Sequence, residues 1–199
     1  MDMSLLRQRL SRQGFTPVQF CYNSTGDTPL AHAMALNAFT ADLRAPGLHF
    51  VAHSLGGLIL RHLFRRYPGQ PPGRVVTLGT PHAVSSAARS LSRWLPGRFM
   101  LGRSVDGGLL GGVPPWGARR ELGSLAGRTP LGLGMILPDI PAPNDGTVAV
   151  EETRLQGMTD HLILPVSHFG MLFSRRVAFQ VGYFLRHGRF NHNAGGRDS

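Results

Sequence analysis

Apolar side chains recur along this chain in two rhythms, one helical and one of short unbroken runs. Met3, Leu6 and Leu10 share a helical face, with Leu5 beside it and Gly14 as a C-cap signal. That spacing predicts a helix over about residues 2–13. Val18 to Tyr22 then suits a short strand. Asp27-Thr28-Pro29 reads as a helix start, with Thr28 at the N-cap and Pro29 at the first helical position. Leu30, Met34, Leu36, Phe39 and Leu43 continue that helix. Leu48 to Ala52 is a buried strand, and Leu55 to Tyr67 a helix stopped by Pro68-Gly69. Val75 to Thr80, Leu122 to Ala126 and His161 to Val166 are further strands. Val177, Val181 and Phe184 define the apolar face of a final helix, with Leu185 adjoining.

Helices alternating with short buried strands predict an α/β fold, a mostly parallel sheet flanked by helices. Residues 1–190 read as one domain. Residues 83–120 differ in kind: a helical fragment from Ala87 to Leu95 is broken by Pro and Gly and followed by scattered apolar side chains. Trp94, Phe99, Leu101, Leu109, Val113 and Trp116 are among them, and a cap-like insertion over a pocket is expected. Pro130 to Pro143 reads as a loop leading to the turn signal Asn144-Asp145-Gly146-Thr147. The polar stretch 191–199 reads as a flexible tail.

One transition stands apart. The apolar run from Leu48 ends abruptly at His53-Ser54, and Leu55-Gly56-Gly57 opens a helix at once. Ala52 to Gly56 reads A-H-S-L-G, one residue away from the G-x-S-x-G nucleophile elbow, in which a sharp turn holds a serine at the end of a strand. A serine hydroxyl needs a base to take its proton, and the base needs a third group to fix its tautomer. In elbow enzymes these follow in the order serine, acid, histidine.

Among the downstream acids Asp106, Glu121, Asp139, Asp145, Glu151, Glu152 and Asp160, Asp145 is preferred because it sits in a tight turn beyond a strand. Asp139 is its nearest rival, and Asp160 begins the last strand. His168 is the preferred base, lying past the last strand and before the final helix. His161 starts that strand, and His187 and His192 lie at and beyond the far end of the final helix. His82 precedes the acid and fits the lining of a substrate pocket. His53 is read as a packing or hydrogen-bonding residue on the other side of the turn. In a parallel sheet ligands gather at the C-terminal strand ends. Ser54, Pro81-His82, the Asp145 loop and His168 each follow a predicted strand, which puts them on one edge.

Composition narrows the classes further. The 199 residues, 42% hydrophobic, suffice for one domain with a sizeable core. The formal net charge is +10, and all 21 basic residues are arginine. The lack of lysine excludes a Walker A lysine, a Schiff-base lysine and a Ser-Lys dyad. The arginines are spread along the chain without aromatic interleaving, which reads as solvated faces; no nucleic-acid partner is expected, and an anionic membrane surface is a candidate partner. Nine histidines show no H-E-x-x-H spacing, and Cys21 is alone. No G-x-G-x-x-G follows a strand. No metal and no cofactor are therefore expected. The N-terminal residues lack the order of a signal peptide, which points to a cytoplasmic protein.

The segments Val51-Ala-His-Ser-Leu-Gly-Gly57, Val75-Val-Thr-Leu-Gly-Thr-Pro-His82, Pro143-Asn-Asp-Gly-Thr-Val-Ala-Val150 and Leu164-Pro-Val-Ser-His-Phe-Gly-Met171 carry a family resemblance. With them the chain resembles the α/β-hydrolase superfamily, in particular small bacterial lipase- or esterase-like members, from about Ser4 to Phe190. The resemblance implies Ser54 as nucleophile, Asp145 as acid, His168 as base and the Leu55 backbone N–H as oxyanion donor. It implies hydrolysis of a small-molecule or lipid ester. Two departures accompany it. Ala52 stands where a glycine is usual. The family's opening strand and His-Gly loop, source of a second oxyanion donor, find no match before Ser54. An N-terminally truncated version of the fold is expected on that ground. The alternative to an active hydrolase is a weakened or inactive scaffold that binds lipid or a protein partner.

Overall fold

A computed structural model describes residues 3–23, 26–83, 85–86, 88, 108–109, 111–117, 119–131 and 140–193. The elements in chain order are α1 (Ser4–Ser11), α2 (Pro29–Asp42), β1 (Phe50–His53), α3 (Leu55–Arg66), β2 (Val75–Leu78), β3 (Leu122–Gly127), a 3-10 turn (Glu151–Thr153), β4 (Asp160–Leu164), α4 (Gly170–Phe173) and α5 (Arg175–His187). The four strands form one sheet in the order β1-β2-β3-β4, every pair parallel. Register places His53 beside Leu78, Leu78 beside Leu125 and Gly127 beside Leu164. The strands' C-terminal ends therefore make one edge.

Local chemistry sets the helix ends, at the start of α2 as expected. Thr28 accepts a hydrogen bond from the Ala31 N–H at 3.2 Å, and Pro29 opens α2 without a missing donor. Ser174 caps α5 through the Val177 N–H, and Gly188 ends it in the left-handed conformation.

Side-chain alternation along the strands sorts the core into two layers. Val76, Leu78, Leu125 and Leu164 face one side, where Leu6 and Leu10 of α1 and Val177, Val181 and Phe184 of α5 cover them. Phe50, Ala52, Val75 and Leu122 face the other, under Ala33 and Leu36 of α2 and Ile59, Leu60, Leu63 and Phe64 of α3. β3 is buried along its whole length, and its one polar side chain, Ser124, donates to the Thr153 carbonyl at 2.7 Å.

Several expectations change. Residues 18–22 form no strand: Phe20 packs on Tyr22 and Phe39, and Tyr22 packs on the His32 ring at 4.7 Å. The run is apolar because it covers α2, and it joins no ladder. Most of the insertion at 83–120 lies outside the described residues, including Trp94, Phe99, Leu101 and most of the Ala87–Leu95 fragment. Trp116, counted with that insertion, packs edge-on against Phe64 in the α3 layer. Arg61, buried in α3, donates to the carbonyls of Pro114, Val113 and His82 and so ties the ends of the insertion to the helix. At the C-terminus, Asn191 exchanges two hydrogen bonds with Gln180, and His192 meets Asp160 at 2.9 Å. The stretch expected to be loose thus begins with a tied segment, and residues 194–199 lie outside the described ones. Among the described residues no helix is long and apolar enough to cross a membrane.

Candidate active site

Ser54 is the single residue between β1 and α3. Its backbone has φ 54° and ψ −125°, a conformation that costs a non-glycine residue on the order of 1–3 kcal/mol. Three hydrogen bonds hold the turn there. The Ser54 N–H donates to the Leu78 carbonyl at 2.8 Å, and its own carbonyl accepts from Thr80 Oγ1 at 2.8 Å and from the Gly57 N–H at 3.1 Å. α3 crosses the end of β2 closely: a Cβ on Gly57 would lie 2.4 Å from Thr80 Oγ1. Leu55 is the first residue of α3, so its N–H is among the four that a helix leaves without an internal partner. The same end carries the positive pole of the helix dipole.

Asp145 lies in the turn between β3 and β4, and His168 in the loop after β4. Asp145 Oδ1 accepts from the N–H groups of Thr147 and Val148 at 2.9 and 2.7 Å. That turn is the one the Asn-Asp-Gly-Thr sequence calls for. His168 Nδ1 meets Asp145 Oδ2 at 2.8 Å, with both side chains buried. The His168 N–H also donates to the Asp145 carbonyl at 2.8 Å. A carboxylate only accepts, so His168 carries a proton on Nδ1, and the neutral tautomer this selects has its lone pair on Nε2. Gly79, the residue after β2, lies against the pair with φ +54°; a Cβ there would lie 2.9 Å from Asp145 Oδ2 and 3.0 Å from His168 Nδ1.

His53 is closer to this machinery than its sequence position suggests. Its Nε2 lies 2.9 Å from the His168 carbonyl oxygen, and the two rings are 4.5 Å apart between centroids. Burial, reinforced by the adjacent His168 ring, pushes the His53 pKa down to about 4. His82, expected to line the pocket, is 7% exposed, and its Nε2 meets Thr77 Oγ1 at 3.0 Å within the sheet–α3 layer. Burial and then the nearby Arg61 guanidinium push its pKa down to about 3. The structure thus brings Asp145 and His168 into contact, with Ser54 on the same sheet edge, and turns His82 inward.

The rival residues fall elsewhere. Asp160 accepts from the Phe190 N–H and contacts His192 at the start of β4. His161 pairs with Thr153 Oγ1 at 2.8 Å. Asp139 lies outside the described residues. Among the described residues no three His, Cys, Asp or Glu side chains converge where a metal ion could sit.

A parallel sheet with an elbow after β1, a carboxylate turn between β3 and β4 and a histidine loop after β4 defines the α/β-hydrolase fold. Three solved structures share it. The mature form of Bacillus licheniformis lipase BlEst2 has a TM-score of 0.65 at 18% identity, over 94% of this chain and 84% of that one. Its propeptide form has a TM-score of 0.67 at 18% identity, over 100% of this chain and 48% of that one. Phospholipase PlaB from Legionella pneumophila has a TM-score of 0.65 at 18% identity, over 94% of this chain and 57% of that one. The chain therefore spans about half the length of the latter two. At this identity the likeness establishes the fold. No family model and no curated protein matches the sequence.

Proposed function

We propose that the chain is a serine hydrolase that cleaves carboxylic esters, of the lipase or esterase kind. The buried His168–Asp145 pair, on the same sheet edge as the strained Ser54, carries this reading. In the reaction, Ser54 Oγ bonds to the ester carbonyl carbon as its proton passes to His168 Nε2. Asp145 keeps the imidazolium oriented through Nδ1–H. The Leu55 N–H donates to the oxyanion, where preorganised donors lower the barrier. His168 then returns the proton to the leaving alcohol oxygen as the C–O bond breaks. Water then attacks the acyl carbon, giving a proton to His168; the bond to Ser54 Oγ breaks as His168 passes that proton to it, which releases the acid and restores Ser54.

Phe169, 52% exposed with its ring 5.6 Å from that of His168, offers an apolar wall beside the reacting groups. It supports an apolar ester, as do the lipase and phospholipase among the similar structures. A fluorophosphonate probe is expected to label Ser54, and Ser54→Ala to abolish both labelling and p-nitrophenyl ester hydrolysis. Folded protein that takes up no label would overturn the proposal.

A second reading, a lipid-binding scaffold without catalysis, draws on another observation. Phe173 is 62% exposed, and Arg9 donates to its backbone carbonyl at 2.6 Å, so an exposed apolar side chain and a guanidinium belong to neighbouring residues. That reading predicts salt-sensitive binding to anionic vesicles that persists in Ser54→Ala. Ester turnover that depends on Ser54 would contradict it.

A further inference from the structure

His168 is fastened at three points. Its N–H reaches the Asp145 carbonyl at 2.8 Å, and its Nδ1–H reaches Asp145 Oδ2 at 2.8 Å. Its carbonyl meets His53 Nε2 at 2.9 Å. The first two tie the residue to the Asp145 turn. The third ties it to β1, whose next residue is Ser54.

The third bond also fixes the state of His53. A carbonyl only accepts, so Nε2 must carry the proton and Nδ1 the lone pair. His53 Nδ1 is buried without a hydrogen-bond partner. An apolar side chain of similar size would avoid that cost but would forfeit the N–H. The depressed pKa keeps the ring neutral near pH 7, so it does not place a second charge beside the imidazolium that forms on His168. The His53 backbone is itself held in the sheet, in register with Leu78. Its side chain therefore spans a fixed strand end and the loop that carries His168.

We infer that His53 is a positioning residue that sets the separation of Ser54 Oγ and His168 Nε2. This rests on the reading of those two residues as nucleophile and base. Proton transfer between them depends steeply on geometry, whereas binding of an ester to the apolar surroundings does not. Loss of the strut must then lower kcat and leave KM little changed.

Two polar substitutions test the point. In His53→Gln the amide N–H ends near the place of Nε2 and still reaches the His168 carbonyl. In His53→Asn the amide ends short of it. With a soluble p-nitrophenyl ester, His53→Asn is expected to lose about 10²-fold in kcat with KM little changed, and His53→Gln to retain most of the activity. Crystal structures of the two variants give a readout that needs no turnover. The Ser54 Oγ–His168 Nε2 distance should lengthen in His53→Asn and stay as in the parent in His53→Gln. Equal kcat values in the two variants, or an unchanged distance in both, would overturn the inference. If the parent neither turns over esters nor takes a fluorophosphonate label, the proposed function fails, and the two distances still decide the role of His53.

Discussion

Asp145 has no spare acceptor position facing the wrong way. Oδ1 takes two backbone N–H groups and Oδ2 takes His168 Nδ1–H, so everything around the carboxylate is a donor. In Asp145→Asn the new amide must set its NH2 against one of those donors. The least costly escape is for His168 to move its proton to Nε2 and accept at Nδ1. That tautomer cannot take a proton from Ser54. Ester hydrolysis should therefore fall about 10⁴-fold in kcat, with much smaller changes in KM and in thermal midpoint. Kinetics and a thermal melt on the same preparation check this.

Chain order and turn chemistry named Asp145 and His168 as partners before any coordinates, and the two side chains do meet. They did not reveal what His53 touches, because its partner is 115 residues away and no local pattern encodes that contact. The contact that His82 makes was equally illegible. Its place after β2 is at the site edge, but Thr77 offers a hydroxyl that draws the ring inward.

Among the elements, β2 does most to shape the site without contributing a reacting group. It lies between β1 and β3, and its last bonds pin the Ser54 turn. It leads into Gly79, which lies against the Asp145–His168 pair. Gly79→Ala would put a methyl within 3.0 Å of both side chains, at a φ of +54° that strains any other residue. The pair has to spread. Labelling of Ser54 by a fluorophosphonate should slow by about 10²-fold while the far-UV CD spectrum stays close to that of the parent. A variant labelled at the parental rate would mean that the pair adapts.

The strands that bear this edge were legible from their unbroken apolar runs, with ends displaced by one or two residues. Leu48–Ala52 became Phe50–His53, and His161–Val166 became Asp160–Leu164. The run at 18–22 carries the same apolar signal but spends it on Phe39 and His32. Composition alone does not distinguish a strand from an extended segment laid over a helix.

At the scale of the whole molecule, buried neutral histidines couple stability to pH. His53 and His82 titrate near 4 and 3 in the folded protein, against about 6.5 when exposed. Between those values the unfolded chain binds protons that the folded chain refuses, so stability rises with pH. Their contribution is complete above about pH 6.5 and is lost as pH falls towards 4 and then 3. The thermal midpoint should be nearly flat between about pH 7 and 8 and decline below about pH 6.5. His82→Gln, which keeps a partner for Thr77, should decline less steeply than the parent. The arginines remain charged throughout this range. An equally steep decline in both proteins would place the lost stability elsewhere.

The candidate site residues follow different strands of a sheet whose neighbours are joined by long crossovers. Helical segments can form early from contacts close in sequence, whereas parallel pairing must first close long loops. The Ser54 turn is bonded to β2, whereas His168 follows β4, which joins the sheet through β3. On the proposed function, activity needs every strand from β1 to β4 in place. A fault remote from the site that loosens β4 is then expected to abolish ester hydrolysis while the helices still stand.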